Sequence, residues 1–317
     1  MNAMTERTVE TSGGSTRVWE MGSGDTVGYF AGLHGLPAWL PLLDNLSAGR
    51  QVVAPSLPGY PGGYDYEPLD DVFDWILAAR DVHSASGLGG ADLIGASVGG
   101  ALAAEIAAAW PDAVRRLVLI APYGMYVDEE PSIDVFAQRQ DLLSSIISAK
   151  PDAYDSYVDT PDGEDEVEWD LTRFRAQMAA AKLLWPLGDT RLAKRLARIR
   201  QPALIIWGAD DQVLPPSYAQ RFADAISGEA SVHIIEGAGH DHRVGRHRKW
   251  RKVMLGHRNP VEANLVGELG LIQGKLHGAL RDLRLVLGGR HRPSAAHRRA
   301  HITRVAKQRY FQADLSP

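Results

Sequence analysis

The chain has 317 residues, of which 45% are hydrophobic and 23% charged, the mix of an ordinary soluble globular protein. The absence of cysteine excludes disulfides, thiol catalysis and thiolate metal sites, and no apolar run reaches membrane-spanning length. A net charge of −5 hides an asymmetry: residues 1–242 carry 17 Lys/Arg against 35 Asp/Glu, whereas residues 243–317 carry 17 against 4, which marks a candidate boundary.

The start, MNAMTERTVE, lacks the apolar run of a signal peptide, so the expected location is cytoplasmic. Residues 16–20 read as a first strand, paired antiparallel at a sheet edge. Near-continuous apolar runs at 27–33, 51–54, 91–94, 117–120, 203–207 and 231–235 read as strands covered on both faces. Helical patterns lie between them. The pattern at 70–82 predicts a helix with Val72, Phe73, Ile76 and Leu77 on its buried face. An alanine-rich helix is predicted over 97–110, stopping before Pro111, and another over 216–226. Strands alternating with helices predict an α/β fold, a doubly wound and mostly parallel sheet.

The alternation breaks between about 124 and 197, where several helical patterns and an acidic loop at 159–170 replace any strand. A helical insertion between two strands would sit over the strand ends as a lid, with Tyr126, Phe136, Tyr154, Tyr157, Trp169, Phe174 and Trp185 forming its own small core. The domain reading is therefore 1–123 with 198–256 as core, 124–197 as lid, and 257–317 as a basic extension.

The strongest chemical signal is Gly95-Ala96-Ser97-Val98-Gly99-Gly100, at the junction of the 91–94 strand and the alanine-rich helix. G-x-S-x-G in that setting is the pattern of a nucleophile elbow. The glycines let strand and helix approach closely, and the turn pushes the serine hydroxyl out. The next N–H, that of Val98, then lies at a helix N-terminus, suited to holding an oxyanion. A serine incidental to a glycine-rich turn is the plainer alternative. Phosphate binding fits poorly, because neither G-x-G-x-x-G nor G-x-x-x-x-G-K-[ST] is present.

A serine nucleophile needs a base. After the 203–207 strand comes Gly208-Ala209-Asp210-Asp211-Gln212-Val213-Leu214-Pro215, and after the 231–235 strand comes Glu236-Gly237-Ala238-Gly239-His240. Both are loops at the C-terminal ends of strands, where open α/β sheets build their sites. His240 is the expected base, with His233, His83 and His242 as rivals. Asp210 and Asp211 are not separated by pattern alone.

These segments, with Phe30-Ala31-Gly32-Leu33-His34-Gly35, resemble the α/β-hydrolase superfamily from about residue 16 to 240. The lidded, cofactor-free branch of carboxylesterases and carbon–carbon bond hydrolases is the nearest match. The resemblance implies a Ser97–His240–Asp211 triad, with Asp211 selected by its place in G-x-x-D-x-x-x-P. It also implies a second oxyanion donor at the N–H of Leu36, and a structural His34. No cofactor and no metal are implied. Because the elbow residue is serine and not aspartate, the chain does not resemble haloalkane dehalogenases or epoxide hydrolases. Ala96 stands where relatives often carry His or Asn, and a longer glycine run beside the oxyanion hole is missing. The expected activity is acyl transfer on a small or medium, largely apolar ester or related carbonyl compound, with Trp39 and the lid aromatics making the pocket. Carbon–carbon hydrolysis of ring-cleavage products, and a non-catalytic ligand-binding protein on a hydrolase scaffold, are the alternatives.

The basic tail holds a short helical pattern at 248–255. It continues with Asn259-Pro260-Val261-Glu262, a helix start, followed by an apolar stripe running from Val261 to Leu287. Three readings stay open. The stripe docks on the hydrolase body or on a second chain as an oligomer contact; the charge binds nucleic acid or an anionic membrane; or the segment is foreign to the fold.

Overall fold

The computed structural model describes residues 3–160, 163–186 and 188–241. The tail, its proposed helices and His242 lie outside those residues.

Eight strands make one sheet: β1 Thr5–Thr11, β2 Gly14–Gly22, β3 Thr26–Phe30, β4 Gln51–Pro55, β5 Ala91–Ala96, β6 Val114–Ile120, β7 Ala203–Gly208 and β8 Ala230–Ile235. Their order is β1-β2-β4-β3-β5-β6-β7-β8. The first three are joined antiparallel and every later pair is parallel. The chain thus has the doubly wound, mostly parallel sheet expected from its strand–helix alternation.

Two strand expectations are corrected. Residues 16–20 fall within β2, which is an interior strand, because β1 pairs along its whole length from Thr5↔Glu20 to Thr11↔Gly14. The β1 sequence is polar and only Val9 is buried, so it carries no apolar run to announce it. The predicted strand at 27–33 also ends early, at Phe30, leaving Ala31 to Leu33 to begin a loop over the sheet edge.

The helices are α1 Pro41–Ser47, α2 Val72–Ala85, α3 Ser97–Ala109, α4 Gln140–Ile147, α5 Pro151–Val158, α6 Glu166–Leu184, α7 Ala193–Leu196 and α8 Tyr218–Ala225. Asp71 caps α2 by accepting from the N–H groups of Phe73 and Asp74, while the Asp74 side chain reaches back to the N–H of Asp71, a complete capping box. The buried face of α2 is Trp75, Ile76, Ala79, Val82 and His83. Phe73 and Leu77 are exposed, contrary to the face read from spacing. Ile76 belongs to both stripes, and the one containing Trp75 has the larger ring to bury.

One continuous apolar cluster joins α2, α3 and α8 to one face of the sheet and extends into α4–α7. A second covers the other face, where Leu42, Leu43 and Leu46 belong to α1, which packs on β2 and β4. Helices α4–α7 all lie between β6 and β7. They are tied to α3 by Glu105, a fully buried carboxylate that accepts from Arg195 of α7, with Nε–Oε2 at 2.6 Å. No described helix is long and apolar enough to cross a membrane.

Candidate active site

The strand β5 ends at Ala96, and Ser97 turns into α3 with φ of 52°, a left-handed conformation that costs a non-glycine residue about 1–3 kcal/mol. The flanking glycines make this turn possible. A Cβ on Gly95 would lie 2.5 Å from the carbonyl oxygen of Gly99, and one on Gly99 would lie 2.5 Å from the carbonyl oxygens of both Phe30 and Ala31. No side chain fits at either place. The N–H of Gly99 donates to Ala31 (3.1 Å), pinning the elbow to the end of β3.

Two loops from neighbouring strand ends meet this serine. The Nε2 of His240 lies 2.9 Å from Ser97 Oγ, and its Nδ1 lies 2.9 Å from Asp211 Oδ2. The other oxygen of Asp211 accepts from the N–H groups of Val213 (2.9 Å) and Leu214 (3.0 Å), so each carboxylate oxygen has a fixed partner. All three side chains are at least 95% buried. Asp210, left open by pattern, is exposed, and its N–H binds the carbonyl of Ala238. The ring edge of Tyr123 stands 5.6 Å from His240, ring centroid to ring centroid.

The rival histidines lie elsewhere. His83 is fully buried in the core, where burial, helped by Arg80, pushes its pKa down to about 4. His233 lies on an exposed part of β8.

The loop after β3 passes close to the nucleophile: a Cβ on Gly32 would be 3.2 Å from Ser97 Cβ. Arg17 of β2 braces this loop, its Nη2 donating to the carbonyl of Leu36 (2.6 Å) and to Ser56 Oγ (3.2 Å), with the guanidinium 3.7 Å over the ring of Trp19. The Leu36 N–H has no acceptor among the described residues. At the head of α3 the N-cap residue is Ala96, which offers no side-chain acceptor to the first N–H groups.

A small cavity of about 20 Å³ opens beside Ser97, bounded by Gly32, His34, Ile147, His240 and Asp241. It has room for about one water molecule. Leu33, His34 and Ile147 separate it from a larger groove of about 110 Å³ whose walls include Val135, Phe136, Leu143, Phe174 and Met178. Among the described residues no Lys or Arg lines either space, and the one acidic side chain there is Asp241.

Sequence reasoning missed three contributors here. Asp241, Gln177 and Arg17 carry no motif. Trp39 was expected in the pocket, but it packs on Trp19 and its Nε1 donates to Asp44, away from the groove. The aromatics of the insertion do not form one small core: Tyr154 is buried, whereas Phe136 and Phe174 line the groove half-open to solvent and Trp185 is 78% exposed. Among the described residues no group of three His, Asp or Glu side chains is placed to hold a metal ion.

An open, mostly parallel sheet with a serine on a tight strand–helix turn defines the class of α/β hydrolases. This chain belongs to it: the model of the alpha/beta hydrolase family matches residues 32–249. The chain is 26% identical over 270 residues to a 2-hydroxy-6-oxo-2,4-heptadienoate hydrolase of Pseudomonas putida, covering 78% of this chain and 94% of that one. It is 28% identical over 255 residues to a monoacylglycerol lipase of Mus musculus, covering 70% and 73% respectively. Among solved structures it is similar to a bacterial membrane phospholipase A, with a TM-score of 0.64 at 24% identity over 81% of this chain and 87% of that one, a likeness of fold.

Proposed function

We propose that the protein is a serine hydrolase that cleaves neutral, largely apolar esters through Ser97, His240 and Asp211. The observation that carries the reading is the buried relay from Ser97 Oγ to His240 to Asp211, with 2.9 Å at each step. His240 takes the Ser97 proton as the oxygen attacks the ester carbonyl, and Asp211 stabilises the imidazolium formed. The N–H of Val98 and that of Leu36 hold the oxyanion. Collapse of the tetrahedral intermediate breaks the C–O bond, and His240 gives its proton to the departing alcohol. Water, deprotonated by His240, then attacks the acyl-serine and releases the acid. The 124–197 segment serves as the lid over this chemistry, and the cytoplasm is the proposed location.

The relatives leave a second reading, carbon–carbon hydrolysis of a dienoate, favoured by the match over 94% of the Pseudomonas putida enzyme. A dienoate carries a carboxylate. Among the described residues the walls of the cavity and groove are mostly apolar side chains, which suit a neutral ester better than a carboxylate, so the ester reading is preferred.

The test is labelling of the full chain with a fluorophosphonate, mapped by mass spectrometry, in wild type and Ser97→Ala. Label on Ser97 in wild type only is expected. A folded wild type that takes no label removes the catalytic reading. Parallel turnover of butyrate esters and of a coloured dienolate separates the two substrates.

A further inference from the structure

Among the described residues the groove beside the nucleophile is mostly apolar, with His34, Gln138 and Gln177 as its polar members. There Gln177 of α6 reaches His34, with its Nε2 2.9 Å from His34 Nε2. Tyr154 of α5 approaches the same ring nitrogen, its hydroxyl 3.4 Å away, and its ring stands 6.1 Å from the imidazole. His34 and Tyr154 are each 3% exposed. His34 is therefore held from two helices of the insertion while its ring forms part of the wall between the serine cavity and the groove.

Gln177 is only partly used by this arrangement. Its amide has two ends and four hydrogen-bonding positions, and one nitrogen contact is made. The carbonyl oxygen has no hydrogen-bond partner among the described residues. If the amide is turned over, the unused end becomes the NH₂, and one polar end is still left without a protein partner among the described residues. The surroundings change character at this residue. On one side are Phe174 and Met178; on the other is an open cleft lined by Ser144, Asp155, Asp159 and Arg173. A purely hydrocarbon ligand would bury the spare end of the amide unpaired, which costs about 1–3 kcal/mol.

We propose that Gln177, positioned by His34, is a specificity-determining residue that hydrogen-bonds a neutral oxygen, a hydroxyl or ketone, on the substrate arm lying in the groove. The inference rests on the ester reading for the reaction but not for the binding it predicts. The preferred substrates are then esters with an oxygen substituent a few atoms from the scissile carbonyl. The oxygen can sit on the alcohol side, as in a glycol ester, or on the acyl side, as in a hydroxy acid ester.

The test titrates full-length Ser97→Ala with propyl hexanoate, 2-hydroxyethyl hexanoate and propyl 3-hydroxyhexanoate, read by ligand-observed NMR. At least one hydroxylated ester is expected to bind about 3–10-fold more tightly than propyl hexanoate, the worth of one hydrogen bond, and its identity tells which arm enters the groove. Adding Gln177→Met, or Gln177→Leu as a second version, is expected to bring that ratio close to one with the melting temperature little changed. Equal binding of all three esters overturns the proposal, and so does a preference that survives both substitutions. Wild-type turnover of propyl hexanoate is scored separately. Turnover without a preference breaks this inference alone, and a preference without turnover breaks the hydrolase reading alone.

Discussion

The strands around Ser97 and the helices inserted between β6 and β7 make opposite use of their surfaces. Helix α3 is buried along almost its whole length, built from alanine and glycine so that it can lie against β5 and β6. Helix α6 buries one stripe, Ala176, Ala179, Ala180, Leu183 and Leu184, and leaves Val167, Leu171, Phe174 and Met178 exposed. In the first region close packing holds atoms in place for chemistry. In the second the apolar side chains face a groove and solvent, where a ligand can meet them. Substitutions in the first are therefore expected to act on turnover or folding, and those in the second on which substrate is taken.

The sharpest way to break this contrast is at the proposed triad. Ser97→Ala is expected to lower kcat/KM by about 10⁴-fold or more, and Asp211→Asn by about 10⁴-fold through loss of the imidazole's orientation, as stopped assays on butyrate esters would show. Asp210→Asn, on an exposed side chain one residue away, is expected to change it less than about threefold. A large loss at Asp210 with a small one at Asp211 would reverse the assignment.

Next in size is a pH effect on stability from the packed region. His83 is fully buried with its pKa pushed down to about 4, chiefly by burial, against about 6.5 in the unfolded chain. Between these values the unfolded state binds the extra proton, so stability rises with pH across the window. The contribution is complete above pH 6.5 and is lost as pH falls toward 4, a change on the order of 3 kcal/mol. Urea unfolding of wild type and His83→Leu at pH 7 and pH 5 checks it. The variant is expected to lose markedly less stability than wild type on acidification, and parallel losses would refute the assignment.

Smaller again is the tie between the two regions. Glu105→Gln removes the partner of Arg195 and weakens the link between α3 and α7, with an expected cost of about 2 kcal/mol, since Arg195 is partly solvated. Chemical denaturation measures the total, and hydrogen exchange in residues 188–199 should rise before exchange in α3 does. Uniform exchange across both helices would mean that the two regions open as one unit.

The smallest expected effect lies in the groove. Phe174→Ser is predicted to raise KM for a medium-chain ester a few-fold with little change in kcat, the behaviour of a group that binds ground and transition states alike. A fall in kcat with KM unchanged would place Phe174 among the groups that act on the reacting atoms.

Much of the site was legible in the residue order because the elbow leaves no freedom of choice. A turn with φ of 52° at Ser97, and carbonyls 2.5 Å from any Cβ on Gly95 or Gly99, forces glycine at those positions. A carboxylate and a histidine following strands β7 and β8 are delivered to the same sheet edge by topology alone. The stripe on α2 was misread because Ile76 serves either face. Strand β1 was missed because its pairing comes from the backbone and its side chains are polar.

Sequence alone thus determined the parallel part of the sheet, the elbow and the residues able to form the relay, since backbone sterics and strand connectivity are local or sequential constraints. Residue pattern alone left Asp210 and Asp211 open and family resemblance selected Asp211; the tertiary structure buries that carboxylate against the N–H groups of Val213 and Leu214 and exposes its neighbour. It also decided that Arg17 braces Leu36, that Gln177 reaches His34 and that Trp39 faces away from the groove. These contacts join side chains from separate elements, and no periodicity in the chain records where two such elements will meet.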